Sequence, residues 1–116
     1  MDSPVIRLTY AILLGVVKRV PDAFRIRPDG ETLVVEYAIG DEIIEELRGP
    51  VDILGAVIRR MSVMANLPMY GKGEVAIGRI QIVVGDANHY FAIQVRGHGS
   101  ELGMSGNLLT EAELHN

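Results

Sequence analysis

The sequence predicts an α+β domain of two layers, in which two helices pack on a mainly antiparallel sheet. Two segments of helical length repeat apolar residues at spacings of three and four. The segments between and after them are rich in β-branched residues and are joined by short glycine-containing turns, which favour antiparallel pairing. The chain has 116 residues, 48% of them hydrophobic, enough for one buried core. We expect residues 1–109 to form a single domain and residues 110–116 to form a tail.

Both predicted helices have start and stop signals. Ser3-Pro4 supplies a cap and a first-turn proline, an apolar stripe follows, and Pro21 ends the first helix. Gly49-Pro50 opens the second, which we predict over Val51–Ala65. Its apolar face is formed by Leu54, Val57, Ile58, Met61, Met64 and Ala65. We expect Leu54, Ile58 and Met61 of this face to be among the most buried side chains.

The strands of the first half alternate with turn signals. Phe24–Arg27 alternates apolar residues with arginine, and Pro28-Asp29-Gly30 is a turn. Thr32–Ile39 is the returning strand, and Gly40-Asp41 turns the chain again. The next segment, Glu42–Leu47, is compatible with a strand or a helix.

A β-ribbon follows the second helix. Val75–Val84 is rich in β-branched residues, the turn is predicted over Gly85–Asn88, and Tyr90–Val95 returns. Whether a last strand forms at Asn107–Leu109 is undecided from the sequence. The predicted order is therefore α-β-β-(β)-α-β-β.

Composition excludes several classes of function. The absence of cysteine removes disulfides, zinc–cysteine sites, iron–sulfur clusters and thiol nucleophiles. A net charge of −4 without a basic block disfavours nucleic-acid binding. The apolar run Ala11–Val17 follows an acidic flank and is far shorter than the ~20 residues of a membrane span. We therefore expect a cytoplasmic protein with no membrane span and no nucleic-acid partner.

No catalytic constellation emerges from the polar residues. His89, His98 and His115 fit no metal-ligand pattern, and we interpret them as exposed loop residues. The glycine-rich stretch that begins at Gly97 lacks the lysine and the following helix of a phosphate-binding loop, which predicts a mobile loop. The carboxylates Asp41, Glu42, Glu45 and Glu46 are interpreted as a solvated face. The sequence thus predicts no catalytic residue, no metal site and no cofactor.

Several stretches, in the same order and spacing, resemble segments of one protein family. Lys18–Pro28 is similar to the segment "RGASDIHIEP" of that family, and Val35–Asp41 is similar to "VRYRIDG". Ala56–Leu67 matches the helix "AIISRIKVMAGLD". Gly78-Arg79-Ile80 stands where the family has "PQDGRI", and Ile93–Val95 where it has "VRV". The resemblance spans roughly residues 8 to 109, and the family it points to is the traffic ATPases that drive type II secretion and type IV pilus assembly.

This resemblance implies the PAS-like domain that precedes the motor domain, without the motor. In those ATPases the domain contributes arginines toward the nucleotide. Arg79 is retained at one such position, whereas Gln94 replaces the arginine of "VRV" and Glu36 replaces an arginine of "VRYRIDG". Arg25 and Arg27 take the place of polar residues in "SDIHIEP". Apolar positions are kept and charged ones are changed, which suggests a retained scaffold without the nucleotide-facing role.

The resulting hypothesis is a non-catalytic module that binds a protein of a secretion or pilus machine. The alternatives are a small-molecule or nucleotide sensor with a PAS-like fold, and a fragment of a larger secretion ATPase; self-association into a homo-oligomer stays open. The candidate binding residues are Arg25, Arg27, Arg79 and Gln94. We expect Arg25 and Arg27 to be exposed, so that reversing both to glutamate would leave the fold unharmed.

Overall fold

A computed structural model describes residues 3–67, 75–97 and 102–114 of the chain. Six antiparallel strands form one sheet in the order β3-β2-β1-β6-β5-β4. The elements, in chain order, are α1 (Pro4–Arg19), β1 (Ala23–Asp29), β2 (Thr32–Ile39), β3 (Glu42–Pro50), a 3-10 turn (Val51–Ile53), α2 (Leu54–Met64), β4 (Val75–Val84), β5 (Ala87–Arg96), β6 (Gly103–Leu108) and α3 (Glu111–Leu114). The predicted α+β class is confirmed.

The long helices begin and end near their sequence signals. The Ser3 hydroxyl accepts a hydrogen bond from the Ile6 N–H at 3.1 Å, and α1 ends where Val20 adopts a left-handed conformation (φ 47°) before Pro21. The second helix begins later than predicted. Pro50 still belongs to β3, and the 3-10 turn leads the chain from the sheet edge into α2.

Three two-residue turns set the register of the sheet. Gly30, Gly40 and Gly85 each take the first turn position with φ near 60°, a conformation that glycine adopts without strain. The sequence left Glu42–Leu47 undecided between helix and strand. In the structure this segment lies in β3. The turn predicted over Gly85–Asn88 is tighter than expected, because Val84 already pairs with Ala87.

The core lies between the sheet and the layer formed by α1 and α2. Leu54, Ile58 and Met61 are 4%, 1% and 0% exposed, which confirms the prediction for this helix. Alternate residues of the strands complete the core, among them Phe24, Ile26, Leu33, Val35, Tyr37, Ile80, Phe91, Ile93, Val95 and Met104.

The glycine-rich segment was predicted to be mobile, and that prediction is wrong for its second half. Gly103–Leu108 forms β6, an inner strand between β1 and β5. A Cβ at Gly106 would lie 2.5 Å from the Ala92 carbonyl oxygen of β5 and 2.8 Å from the Phe24 ring, so glycine here makes room for the neighbouring strand and a core aromatic residue rather than for motion. His98 and its neighbours up to residue 101 lie outside the described residues, as does His115.

Candidate functional site

The candidate binding residues gather on one face of the sheet. Strand residues alternate between faces, and the neighbours of Arg25, Arg27, Arg79 and Gln94 along their strands point into the core. All four therefore lie on the face opposite α1 and α2, here called the open face. The sequence placed Arg25 and Arg27 together, and the fold adds Arg79 and Gln94 to the same surface.

Two of the arginines share one buried carboxylate. Arg25 Nη2 donates to Glu36 Oε1 at 2.6 Å, and Arg27 Nε donates to the same oxygen at 2.9 Å. Arg27 Nη2 also donates to Glu36 Oε2 at 3.1 Å. Glu36 is only 9% exposed, although it is an acidic residue in the middle of β2. These three residues are called the arginine–glutamate triad.

The triad keeps Glu36 ionised. The hydrogen bond from Arg27, together with that from Arg25 and the positive charge of both groups, holds the pKa of Glu36 at about 2, against the opposing effect of burial. The same hydrogen bond raises the pKa of Arg27. The triad therefore carries one net positive charge at neutral pH.

A groove runs beside the triad. Arg25 and Arg27 form one wall and Arg96 of β5 contributes to the other, while Gly103 and Ser105 of β6 lie between them. The groove has a volume of about 470 Å³, and its described lining contains no carboxylate. Small side chains on the floor and positively charged residues on the walls suit an anion. The Nε and Nη2 groups of Arg25 and Arg27 already donate to Glu36, so these two arginines contribute charge rather than paired donors.

Arg79 and Gln94 do not converge on one pocket. Arg79 lies in an open depression of about 860 Å³ with Asn88, Tyr90 and Glu111, near the β4–β5 turn and α3. Gln94 lines a smaller one of about 220 Å³ beside β6. The two residues share the open face, but the structure separates them into neighbouring depressions.

The other acidic and histidine candidates lie in ordinary structural positions. Glu45 pairs with Arg48 at 2.7 Å, and Glu46 pairs with Arg19 at 3.2 Å, so both are surface ion pairs. His89 was predicted in a loop but lies half-buried in β5, because the turn before it is shorter than expected. Across the part of the chain that the structure describes, no group of three or more acidic or histidine side chains could hold a metal ion.

Sequence reasoning missed the role of Glu36 as the partner of both arginines. The signal was present: a two-residue turn at Gly30-Glu31 fixes the β1–β2 register and sets Arg25 opposite Glu36. Arg25 is exposed as expected and Arg27 is half-buried, but both pair with Glu36, so the expectation that their reversal leaves the fold unharmed is corrected. Reversing both to glutamate would place three carboxylates together, one of them buried, and would destabilise the fold.

The fold and the open face define an α+β domain whose distinctive feature is a basic groove on the face of the sheet opposite α1 and α2. No family model matches the chain. A search of characterised proteins finds similarity to the type IV pilus assembly ATPase PilB of Myxococcus xanthus (strain DK1622), 27% identical over 84 residues. That alignment covers 72% of this chain but only 15% of the ATPase, so the chain is similar to a small part of that protein. None of the helices that the structure describes is long and apolar enough to cross a membrane.

Proposed function

We propose that this chain is a non-catalytic protein-interaction module of a type II secretion or type IV pilus system, an accessory or regulatory component acting on the cytoplasmic side. Its binding surface is the open face, and its partner presents acidic side chains. The similarity to a pilus assembly ATPase supports the cellular setting. The groove beside the triad supports the mode of binding.

The observation that carries the proposal is the concentration of positive charge in an acidic chain. The protein has a net charge of −4, yet Arg25, Arg27 and Arg96 line one groove with Glu36 as the neighbouring counter-charge. Complementary charge steers partners toward such a surface and fixes their orientation. The carboxylate is a poor general base, because its pKa of about 2 is far from neutral and both oxygens already accept hydrogen bonds.

The test is direct binding to the purified type IV pilus assembly ATPase of the same organism, measured at low and high salt. Arg96→Glu reverses a groove charge without touching the triad, and Arg59→Glu makes the same charge change on the exposed side of α2. We expect Arg96→Glu to weaken binding about tenfold or more, chiefly through a slower on-rate, and to flatten its salt dependence. Arg59→Glu should bind like the unmodified chain. Equal effects of the two variants, or no binding at low salt, would reject the open face as the docking surface.

A nucleotide sensor is the second candidate, favoured by one observation. Arg79, the arginine retained from the resembled motif, lies in the depression that also contains Tyr90. Millimolar ATP is the probe, because a ligand at a hundred times its Kd adds about 2.7 kcal/mol of stability and raises the Tm clearly. We expect no such rise. A rise that Arg79→Ala abolishes would replace the interaction module with the sensor.

A further inference from the structure

The two edges of the sheet differ in how well they are protected against pairing with another strand. At one edge, β3 carries Glu42, Glu45 and Arg48, ends at Pro50, and breaks register opposite Val35 and Glu36. Charges, a bulge and a proline are the devices by which proteins prevent another strand from adding to an edge. This edge is therefore closed to further pairing.

The opposite edge has almost none of these devices. The ten residues of β4 contain no proline and one charged side chain, Arg79, and pair with β5 without a break in register. Its open-face side chains Val75, Ile77 and Val83 are 47%, 73% and 65% exposed. A long, regular, apolar edge strand of this kind is a template for pairing with another strand.

The pattern along β4 is complementary to itself. In an antiparallel pair built about a two-fold axis, opposed residues must share a face, so the axis passes through one residue. With the axis at Ile80, Ile77 faces Val83 of the second copy and Arg79 faces Gln81 of the second copy. Apolar side chains then meet apolar ones at both ends, and each guanidinium meets an amide rather than another cation.

Registers with the two-fold axis at a neighbouring residue give less favourable side-chain pairs or a shorter paired stretch. An axis at Arg79 sets the two arginines directly opposite each other, and like charges in that position are destabilising. Axes at Gly78 or Gln81 shorten the paired stretch and set Arg79 against an apolar residue. The Ile80 register pairs residues 76–84 of both strands, which span nearly the whole of β4.

We propose that a second copy of this chain adds to β4, so that two six-stranded sheets join into one continuous sheet about an axis at Ile80. The occupant is a second copy because β4 supplies its own complement in that register. The interface is independent of the groove, which lies around β6 on the open face. If the partner-binding experiment fails, the proposal of a β4 dimer is therefore unaffected. If no β4 dimer forms, the proposal of partner binding at the groove is likewise unaffected.

Register-specific cross-linking tests the geometry, because the natural chain contains no cysteine. In the proposed register, residues 77 and 83 of different copies face each other with Cα atoms about 5.5 Å apart, within disulfide range. Under mild oxidation, Ile77→Cys mixed with a size-tagged Val83→Cys should give mixed dimers of intermediate size. Either variant alone should stay uncross-linked, since residue 77 of one copy is about 20 Å from residue 77 of the other at ~3.4 Å per residue. Dimers of a single variant, or no mixed dimers, would overturn the register.

The oligomeric state tests the edge itself. Strand pairing alone buries less than a standard interface, so we expect a dimer that sedimentation velocity detects between about 5 and about 500 µM. Ile77→Lys should raise the dimer Kd at least tenfold, whereas Ile43→Lys, which alters an isoleucine 61% exposed on the protected edge, should not. Circular dichroism confirms that both variants fold. A chain that stays monomeric over this range, or a dimer that tolerates Ile77→Lys, would overturn the proposal.

Discussion

Replacing Glu36 with glutamine removes the negative charge of the triad while keeping the size of the side chain. Glu36 is 9% exposed and accepts hydrogen bonds from both Arg25 and Arg27. A neutral amide can accept only part of this hydrogen bonding, and the two guanidinium groups are then left close together without a counter-charge. We expect Glu36→Gln to lower the free energy of unfolding at neutral pH.

The size of the loss follows from the pKa of Glu36. Its value falls from 4.5 to about 2 in the folded protein, and this difference corresponds to roughly 3–4 kcal/mol at ~1.4 kcal/mol for each pH unit. The Arg25 side chain is 56% exposed, so solvent screens part of the interaction, and we expect a loss of about 2–3 kcal/mol. Because the folded-state pKa is the lower one, this stability is fully present above about pH 4.5 and disappears as the pH falls toward 2.

Urea unfolding at a series of pH values measures this effect. The stability difference between the unmodified chain and Glu36→Gln should be about 2–3 kcal/mol at pH 7 and should shrink steadily below pH 4.5. Glu42→Gln, which alters an exposed glutamate of β3, is the control and should change stability by less than about 0.5 kcal/mol. If Glu36→Gln lowers the free energy of unfolding by less than about 0.5 kcal/mol at pH 7, or if its stability difference from the unmodified chain does not change with pH, the ion pairs of the triad do not stabilise the fold.

Two further predictions concern packing. Ile58→Ala should destabilise the protein by roughly 2–5 kcal/mol in urea unfolding, because Ile58 is fully enclosed between α2 and the sheet, whereas Val63→Ala on the exposed side of the same helix should cost under about 0.5 kcal/mol. A small effect at Ile58 would show that the site collapses or is less buried than described. Gly106→Ala should lower the Tm markedly because its Cβ would meet the Phe24 ring, while Gly55→Ala, where nothing lies within 4 Å, should be neutral or slightly stabilising. Equal Tm changes for the two glycine variants would contradict this account of β6.

Local signals in the sequence were sufficient for most of the scaffold. The apolar spacing of α2 identified Leu54, Ile58 and Met61 as core residues, because a helix packed on a sheet must bury one stripe. Glycine turns located the hairpins to within a residue or two. The segment Glu42–Leu47 was undecided since its intrinsic preference is weak, and pairing with β2 decides it.

Features that depend on distant residues were not predicted. The strand β6 was not predicted because its glycines favoured a loop. The core requires glycine at position 106 because Phe24 packs against it. The start of α2 was placed too early, since Pro50 serves the edge of the sheet and not the first turn of the helix. The partnership of Glu36 with the two arginines needs the β1–β2 register, which is a property of two strands and not of either alone.

That register changes the meaning of the charge differences from the traffic-ATPase motifs. Considered singly, arginine at positions 25 and 27 and glutamate at position 36 suggest lost functional charges on a retained scaffold. The sheet sets Arg25 directly opposite Glu36 and brings Arg27 to the same carboxylate, so the three differences form one ion cluster. Glutamate at position 36 without the two arginines would leave a buried charge unpaired, at a cost of several kcal/mol. Variants that test the open face should therefore change the triad together or leave it intact, as Arg96→Glu does.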